Sequence, residues 1–450
     1  MPVISTLASL SKKGYFSPGN LVAGIGDFYS ATDYNTSTGN VTVQSTVLSD
    51  NSYYQILQNT VSSGTTTGCV IKYNDSGATT ELNYGPVNDV KGVVKDTLGN
   101  TYFLVDKGSS TPFTYFLYQY NSSGTFTNGI SVQYNNSGSG NPTNTVLGMT
   151  IDSSNNILVF LYGSNSGNIY FITNQLSASS LSLTRAYGYK INTIQDYTFG
   201  SLKLISSYNN YNMIGFNTPT YTFVVPFSNL GQTTASYRMT PSGSGQVFAG
   251  TMIGANFYYI INNILVKTPY NDFVPSYAYT VATPPGAGTY WNAMSGNSDN
   301  NLVLSSSSSS GITTALINPS NPISLISNPV QFSITNINGL TNSIVTNSTN
   351  LFLGFEMRSN VGPIYNTTAT MKLDKNASSL SGSNLLNYTL NTHTYSTTIS
   401  STTLSSLSIT SNSLPTTTIT PSTALFALVT NSIGSVSNSA TIYNYKQNLI

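Results

Sequence analysis

Apolar residues in this chain occur in short runs of four to eight, separated by segments rich in Gly, Asn, Ser and Pro. Val, Ile, Thr, Tyr and Phe dominate the runs, and these β-branched and aromatic residues favour strands. Apolar positions spaced three or four residues apart, which would mark one face of a helix, are nearly absent. The pattern therefore predicts an all-β protein.

The runs pair into hairpins that recur along the chain. Residues 93–104 and 149–160 each contain an apolar strand, a polar turn from Asp to Asn, and a second apolar strand. Weaker copies have their turns near positions 47, 206, 252 and 297. Together with the turns at 96 and 152, the six turns recur at intervals of 45 to 56 residues. A second type of hairpin alternates with the first, at 70–77, 116–124 and 223–231. Two hairpins in about 50 residues predict a repeating unit of four antiparallel strands.

This repeat resembles the blades of the looser β-propeller families, of the NHL or kelch kind, over about two-thirds of the chain. The families' diagnostic motifs are missing, since no Trp-Asp dipeptide occurs and the chain has one Trp. Six repeats are countable, and segments at 28–35 and 41–45 complete a seventh or close the ring with strands from both chain ends. We therefore expect a six- or seven-bladed β-propeller over residues 1–328, with N-terminal strands in 1–46.

A change in composition follows a cluster of prolines at 319–329, after which Ser and Thr become more frequent. Residues 329–450 have the length and strand density of a β-sandwich. Residues 425–443 resemble the closing hairpin of Ig-like domains, with Asn431 and Gly434 at the turn, although the Tyr and Cys that mark that family are absent. The resemblance implies an Ig-like β-sandwich over 329–450.

Charge is scarce along the whole chain. Only 15 Lys+Arg and 14 Asp+Glu occur among 450 residues, or 6%, against about 25% in an average soluble domain. A surface of hydroxyls and amides depends little on salt or on carboxylate ionisation. The net charge of +1 argues against nucleic acid as a partner, because phosphate binding needs clustered Lys and Arg. No apolar run is long enough to span a bilayer.

Nucleophiles and bases are equally few. His393 is the only histidine and Cys69 the only cysteine, so neither a multi-histidine metal site nor an intrachain disulfide is available. A Ser-His-Asp site would need His393 as its base, yet no Gly-x-Ser-x-Gly elbow supplies a nucleophile. A Cys-His pair would have to meet across two domains. We interpret His393 as structural or surface-exposed, and Cys69 as a small apolar residue of a strand.

Carboxylates and calcium ligands offer two further candidate sites. Four acids could converge on a propeller channel as a glycosidase pair, namely Asp27, Asp89, Asp196 and Glu356. By contrast, Asp96 and Asp152 are explained by turns whose backbone they cap. Residues 152–156 and 297–301 offer oxygen ligands but lack the spacing of an EF-hand loop. We expect no catalytic, cofactor or metal site.

Two features indicate contact with the outside. Nine Asn-x-Ser/Thr sequons are candidate glycosylation sites, at Asn35, Asn40, Asn74, Asn121, Asn135, Asn347, Asn366, Asn376 and Asn387. Chance gives many in so Asn/Ser/Thr-rich a chain, but Asn74 and Asn121 lie at predicted hairpin tips. Tyr-rich segments such as 208–211 and 257–259 have the composition of recognition surfaces, although tyrosines that fill the sheets are the favoured interpretation.

Together these features favour a virion surface protein without enzymatic activity: a spike, turret or tail-fibre subunit for host attachment and particle decoration. In composition the chain resembles capsid-decorating proteins of viruses that infect thermoacidophilic archaea. With every carboxylate protonated in acid, 15 Lys+Arg and one His leave only about +16 over 450 residues, so self-repulsion stays modest. The resemblance implies other virion proteins as partners, a symmetric oligomer, and host glycans or pili as candidate ligands.

Two alternatives remain open. A cellular adhesin or envelope-layer glycoprotein would need a signal peptide, and residues 1–13 lack the order of charge and apolar residues of one. The lone cysteine fits a chain that folds in a reducing cell. A propeller glycosidase would need acids clustered at one channel mouth.

Overall fold

The computed structural model describes residues 26–33, 40–47, 53–60, 66–74, 77–84, 89–106, 114–134, 143–152, 154–165, 168–191, 202–208, 211–217, 222–228, 236–239, 248–270, 274–284, 290–309, 311–336, 343–358, 366–390, 392–412, 416–419, 422–424, 428–435 and 442–450. Every regular element in these segments is a β-strand, so the all-β prediction is confirmed.

The strands of the described segments, in chain order, are β1 (Gly26–Asp33), β2 (Asn40–Val47), β3 (Tyr53–Thr60), β4 (Thr66–Asn74), β5 (Gly77–Tyr84), β6 (Asp89–Lys95), β7 (Thr101–Asp106), β8 (Thr114–Tyr120), β9 (Phe126–Tyr134), β10 (Thr143–Ile151), β11 (Asn156–Asn165), β12 (Asn168–Ser177), β13 (Leu183–Ile191), β14 (Leu202–Tyr208), β15 (Tyr211–Asn217), β16 (Thr222–Ser228), β17 (Ser236–Met239), β18 (Phe248–Ile253), β19 (Asn256–Ile261), β20 (Ile264–Pro269), β21 (Tyr277–Val281), β22 (Ala293–Gly296), β23 (Leu302–Ser308), β24 (Gly311–Asn318), β25 (Ser324–Leu325), β26 (Val330–Ile334), β27 (Ser343–Thr346), β28 (Asn350–Arg358), β29 (Asn366–Asp374), β30 (Ser383–Leu390), β31 (His393–Thr403), β32 (Ile409–Asn412), β33 (Thr416–Ile419), β34 (Ser422–Ala424), β35 (Leu428–Ser432) and β36 (Ile442–Leu449).

Across the described segments these strands form seven antiparallel sheets. Sheets 1 to 5 are each built on four consecutive strands, namely β2–β5, β6–β9, β10–β13, β14–β17 and β18–β21. Sheet 6 is built on β22, β23, β24 and β26, with β25 paired to β24. The strands of these meanders coincide with the hairpins that the apolar runs predict, because each run ends at a polar turn that reverses the chain.

Sheet 7 joins the two ends of the chain. It contains β27, β28 and β29, and β29 pairs with β1 from Gly26↔Leu373 to Ala31↔Thr368. The N-terminal strand therefore supplies the fourth strand of the last sheet, which is the closure by both chain ends that the sequence left as an alternative. This pairing joins residues near the start of the chain to the last sheet of the ring.

The sheets follow one another in a ring. Each sheet's first strand lies beside the first strand of the next from β6 through β10, β14, β18 and β22 to β27. β27 in turn contacts β2, and β3 contacts β6, so sheet 7 returns to sheet 1 and sheet 1 to sheet 2. This arrangement of radial four-stranded units is propeller-like.

Residues 383–450, here called the belt, run along the outer edges of the sheets in reverse order. The hairpin β30–β31 adds to β26 of sheet 6, and single strands follow. β32 pairs with β21 of sheet 5, β33 with β17 of sheet 4, β34 with β13 of sheet 3, β35 with β9 of sheet 2, and β36 with β1 of sheet 7. Sheet 1 has no belt strand among the described residues.

The belt corrects the predicted Ig-like β-sandwich over 329–450. Every sheet that holds a described strand of 343–449 also holds a strand from 26–334, so no division of the sheets falls at residue 329. The predicted hairpin at 425–443 does not form either, since β35 pairs with β9 and β36 with β1. Short strands pair readily with an exposed sheet edge, and the ring offers such edges before the belt is added.

Apolar cores lie between neighbouring sheets. One contains residues of sheets 2 and 3, a second contains residues of sheets 5 and 6, and a third joins sheets 6 and 7 to the belt. Trp291 is fully buried in the second, and its Nε1 donates to the Ala282 carbonyl at 3.0 Å. Gly92 lies where sheet 2 approaches sheet 3, since a Cβ there would come within 3.1 Å of the Met149 side chain.

Candidate functional site

Antiparallel strands reverse direction at every turn, so the turns after the first and third strands of each sheet lie on one face of the ring. We call this the turn face. In sheets 2, 3, 6 and 7 the first turn begins with a capping side chain, namely Asp96, Asp152, Asn297 and Asn347. The Oδ1 of each accepts two backbone N–H groups of its own turn at 2.7 to 3.0 Å. The prediction that Asp96 and Asp152 cap turns is confirmed.

Neighbouring turns are also bonded to each other. Asn155 Nδ2 donates to Thr97 Oγ1 at 2.7 Å and links the first turn of sheet 3 to that of sheet 2. Ser298 Oγ donates to the Ser348 carbonyl at 2.9 Å and links sheet 6 to sheet 7 in the same way. These contacts hold adjacent sheets in fixed register at the turn face.

The second carboxylate oxygen of Asp96 serves a buried network. It accepts a hydrogen bond from the Tyr102 hydroxyl at 2.8 Å. The same hydroxyl lies 3.0 Å from the Ala178 carbonyl of sheet 3 and accepts a hydrogen bond from Gln119 Nε2 at 3.0 Å. Burial raises the pKa of Tyr102, and the neighbouring Asp96 charge raises it further. This acid is therefore committed to holding sheets 2 and 3 together.

The turn face contains a cleft of about 590 Å³ between sheets 6 and 7. Its walls come from the first turn and the end of sheet 6, the turn after β29, and the end of β31. The lining residues are Asp299, Asn301, Leu316, Ile326, Ser327, Asn328, Val330, Asn376, Ala377, Ser378, Ser379 and Thr403. Carboxamides, hydroxyls and one carboxylate thus line the cleft together with the apolar side chains of Leu316, Ile326, Val330 and Ala377.

One ion pair crosses the rim of this cleft. Lys375 Nζ lies 2.5 Å from Asp299 Oδ1 and donates to Ser298 Oγ at 3.2 Å. Asn297, which is buried, directs its Nδ2 towards the Lys375 carbonyl at 3.4 Å. Among the described residues that line the cleft, the only carboxylate, Asp299, is therefore balanced by a cation, and this lining is close to neutral.

Such a lining suits a neutral ligand rich in hydroxyl groups, because amides and hydroxyls both donate and accept hydrogen bonds. A glycosidase needs two carboxyl groups about 5 to 10 Å apart. The cleft lining has a single carboxylate, Asp299. The described lining therefore offers hydrogen-bond partners for a saccharide-like molecule, and one acid where hydrolysis requires two.

The four acids proposed for a channel are not brought together where the structure describes them. Asp27 on β1 lies 3.7 Å from both Lys372 Nζ and Lys446 Nζ. Glu356 is buried on β28 of the same sheet. The β28 residue in register with Asp27, through Lys372 on β29, is Phe352, and Glu356 lies four residues further along β28. Asp89 lies on β6 of sheet 2, and Asp196 lies outside the described residues.

The single histidine and cysteine belong to different sheets. His393 begins β31 opposite Leu390, in the outer hairpin of sheet 6, and partial burial lowers its pKa. Cys69 lies on β4 of sheet 1. Within the described part of the chain, no group of three or more His, Cys, Asp or Glu residues could hold a metal ion. In the segments proposed for calcium, Oδ1 of Asp152 and Oδ1 of Asn297 bond to backbone N–H groups.

All but one of the described sequons occupy turns or strand ends. Asn121 and Asn347 cap turns on the turn face, Asn376 is exposed beside the cleft, and Asn387 is exposed on β30. Asn40, Asn74 and Asn366 stand at strand ends, and Asn35 and Asn135 lie outside the described residues.

Two of the Tyr-rich residues proposed for recognition prove to be core. Tyr258 and Tyr259 are both buried on β19, so the interpretation that tyrosines fill the sheets is correct there. The cleft, in turn, has no counterpart in the sequence prediction. Only its 297–301 turn carries a recognisable signal, because the other walls come from segments up to 100 residues away.

No protein-family model matches the chain, and no curated protein matches it in sequence. Among solved structures it is similar to the WD40 domain of SCAP from fission yeast, with 8% identity over 83% of this chain and 94% of that chain and a TM-score of 0.35. A protein of unknown function from Dyadobacter fermentans gives 9% identity over 79% and 100%, with a TM-score of 0.39. The CNH domain of AfRom2 gives 10% over 76% and 98%, with a TM-score of 0.38. The propeller-like assignment therefore rests on the strand pairing described above.

Among the described residues, no helix is long and apolar enough to cross a membrane.

Proposed function

We propose that the chain forms a seven-bladed β-propeller whose blades are sheets 1 to 7, closed by β1 and surrounded by the belt. The order of contacts between first strands supports this count, because sheet 7 meets sheet 1. In this proposal the C-terminal residues form the belt and not the separate Ig-like domain predicted over 329–450.

The function that this architecture supports best is that of a non-catalytic surface protein: a virion spike, turret or tail-fibre subunit that decorates a particle and attaches it to a host. The observation that carries the proposal is the belt. Exposed edge strands invite unwanted pairing with other chains, and very short edge strands limit it. The belt adds outer strands to sheets 2 to 7, and in sheets 2 to 5 the outer strand is three to five residues long. A crowded particle surface presents many copies side by side, and there such protection has most value.

Scarcity of charge supports the same location. Of 29 charged residues in 450, the described ones include Asp27 and Asp299 in ion pairs and Asp96 and Asp152 in turns. With 14 Asp and Glu in the whole chain, few carboxylates are available to lose an ion pair when they are protonated in acid. A protein with few carboxylates therefore loses little stability when its surroundings become acidic.

The cleft between sheets 6 and 7 is the proposed recognition site, and a neutral host glycan is its proposed ligand. Titration with neutral oligosaccharides by calorimetry tests this assignment. Ser379→Trp places a large ring in the cleft and is expected to abolish binding. Ser180→Trp, at the exposed turn of sheet 3, is the matched control and should bind normally. Equal binding by both variants would rule the cleft out.

Electron microscopy of purified particles tests the function itself. We expect this chain in stoichiometric, symmetry-related copies on the particle surface. Recovery only from membrane or envelope fractions would instead support a cellular adhesin or envelope-layer glycoprotein. A propeller glycosidase would be favoured only by hydrolysis of a bound oligosaccharide, for which the cleft lining offers one paired carboxylate.

A further inference from the structure

The nine sequons are unevenly distributed along the chain. Residues 136–346 contain 28 asparagines, and none of them begins a sequon. About a quarter of the positions in this stretch are Ser or Thr, so chance would give about seven sequons. In Asn141-Pro142-Thr143 and Asn318-Pro319-Ser320 a proline occupies the middle position, and proline there prevents glycosylation.

The ring converts this gap into a spatial division. Residues 136–346 provide the meanders of sheets 3 to 6, from β10 to β26. In sequence, eight sequons lie in or within two residues of strands of sheets 7, 1 and 2, which are consecutive around the ring. The ninth, Asn387, lies on β30, which contacts β36 of sheet 7. We call sheets 7, 1 and 2 the sequon arc.

Two sequons of this arc have a geometry that tolerates a glycan. Asn121 Oδ1 accepts the backbone N–H groups of Ser123 at 3.1 Å and Thr125 at 2.9 Å, and the Ser123 hydroxyl at 2.7 Å. Asn347 Oδ1 accepts the backbone N–H groups of Thr349 at 3.0 Å and Asn350 at 2.7 Å. All these bonds use the amide oxygen, so modification of Nδ2 preserves both turns.

The reaction leaves that oxygen in place. Nδ2 attacks C1 of a phosphate-activated sugar, the sugar's C1–O bond breaks, and the phosphate group leaves with the bonding electrons. Nδ2 loses one proton and keeps one. The middle residues of the two sequons, Ser122 and Ser348, are exposed, so a transferase can reach both turns.

We propose that the native protein carries N-linked glycans at Asn121 and Asn347, on the turn face of the sequon arc, and that residues 136–346, which form the meanders of sheets 3 to 6, remain free of glycan. Glycans add a bulky hydrated cover without charge, which complements the uncharged surface. The bare sheets are then the part of the ring on which a neighbouring protein can pack closely. The proposal rests on the proposed function only in placing the chain where glycosyl transfer occurs.

Glycopeptide mass spectrometry of the chain from its natural source tests the proposal. Chymotrypsin is the suitable protease, because trypsin would leave Asn121 and Asn135 together on one peptide between Lys107 and Arg185. Cleavage after Tyr120 and Phe126 isolates Asn121. We expect glycan mass on the peptides of Asn121 and Asn347 and on none from 136–346. Either asparagine found only unmodified, or a glycan within 136–346, would overturn the proposal.

Asparagine-to-aspartate variants separate modification from turn capping. Asn121→Asp and Asn347→Asp keep the capping oxygen, as Asp96 does in its own turn, and should each lose one glycan mass with unchanged thermal stability. Asn128→Asp, at a half-buried asparagine outside any sequon, is the control and should keep both glycans. If neither aspartate variant loses a glycan mass relative to the parent chain, the assignment fails. Particle microscopy would still report the proposed function independently.

Discussion

A cluster of aromatic rings fastens both ends of the belt to the strand that closes the ring. Tyr388 on β30 stacks on Tyr445 of β36 at 4.2 Å and on Tyr395 of β31 at 5.3 Å between ring centroids. Phe28 on β1 lies 6.0 Å from Tyr388 and 6.4 Å from Tyr445. Tyr388 is 6% exposed and Phe28 is fully buried. Tyr388 is therefore the residue through which the start and the end of the belt meet.

Removing this ring should cost a large share of the free energy of unfolding. Truncation of a buried aromatic side chain to Ala costs about 3–5 kcal/mol, against a total stability of about 5–15 kcal/mol for a typical domain. We expect Tyr388→Ala to lose about 3–5 kcal/mol in urea denaturation followed by tyrosine fluorescence. Tyr388→Phe, which keeps the ring and loses a 3.7 Å contact with Met357 Sδ, should lose less than about 1 kcal/mol.

A double-mutant cycle isolates the stacking itself. Tyr388→Ala and Tyr445→Ala should couple by about 0.5–1.5 kcal/mol, the range of aromatic pairs beyond their buried area. Additive effects of the two substitutions, or a loss below about 1 kcal/mol for Tyr388→Ala, would refute the reasoning that this cluster fastens the belt.

Two further predictions concern sheet 2. Asp96→Ala removes the acceptor of two backbone N–H groups and of the buried Tyr102 hydroxyl, so urea denaturation should show a loss of about 2–3 kcal/mol; Asp96→Asn, which preserves the capping oxygen as Asn297 does, should lose clearly less, and equal losses would contradict the capping role. Burial raises the pKa of Tyr118 and of Tyr120 to about 12 from 10.0, so the stability that these neutral phenols provide is complete below pH 10 and is lost as the pH rises from 10 towards 12. Because the chain has 32 tyrosines, the tyrosinate absorbance of these two is obtained as the difference between the parent chain and a variant with Tyr118→Phe and Tyr120→Phe. This difference should develop above pH 10 together with a change in near-UV circular dichroism, and a difference centred at pH 10 with an unchanged dichroism spectrum would contradict their burial.

The turn residues within each hairpin predict the strands of the ring. The belt cannot be predicted in this way, because its strands pair with residues far away in the sequence. The turns at 96–100 and 152–156 contain their own capping residues, so the hairpins around them are encoded within about ten residues of sequence. The belt strands β32 to β35 are three to five residues long, and their partners lie far away in the chain, as in Gly188↔Ala424. Strands that short carry no periodicity that indicates a partner, so the change in composition and the Ig-like appearance of residues 425–443 suggested a separate domain.

The cleft escapes sequence reasoning for a related reason. Asp299 and Ser378 approach each other because sheets 6 and 7 are neighbours in the ring, and that neighbourhood depends on ring closure. The absence of sequons from residues 136–346 is visible in the sequence. That the sequons lie on consecutive sheets follows only from the order of the sheets in the ring. Sequence thus predicted the repeating unit, and the closed ring supplied the position of every candidate site.

Cross-strand disulfide trapping tests most directly whether the C-terminal residues encircle the ring. Gln133 on β9 and Val429 on β35 face each other in the antiparallel register, where Cα atoms lie about 4.5–5.5 Å apart, within the range of a disulfide. In a Cys69→Ala background, Gln133→Cys with Val429→Cys should form an intrachain disulfide under mild oxidation, joining residues 296 positions apart. Gln133→Cys with Thr430→Cys, shifted by one residue so that the side chains point to opposite faces, should stay reduced. No disulfide in the first pair, or equal formation in both, would contradict the belt.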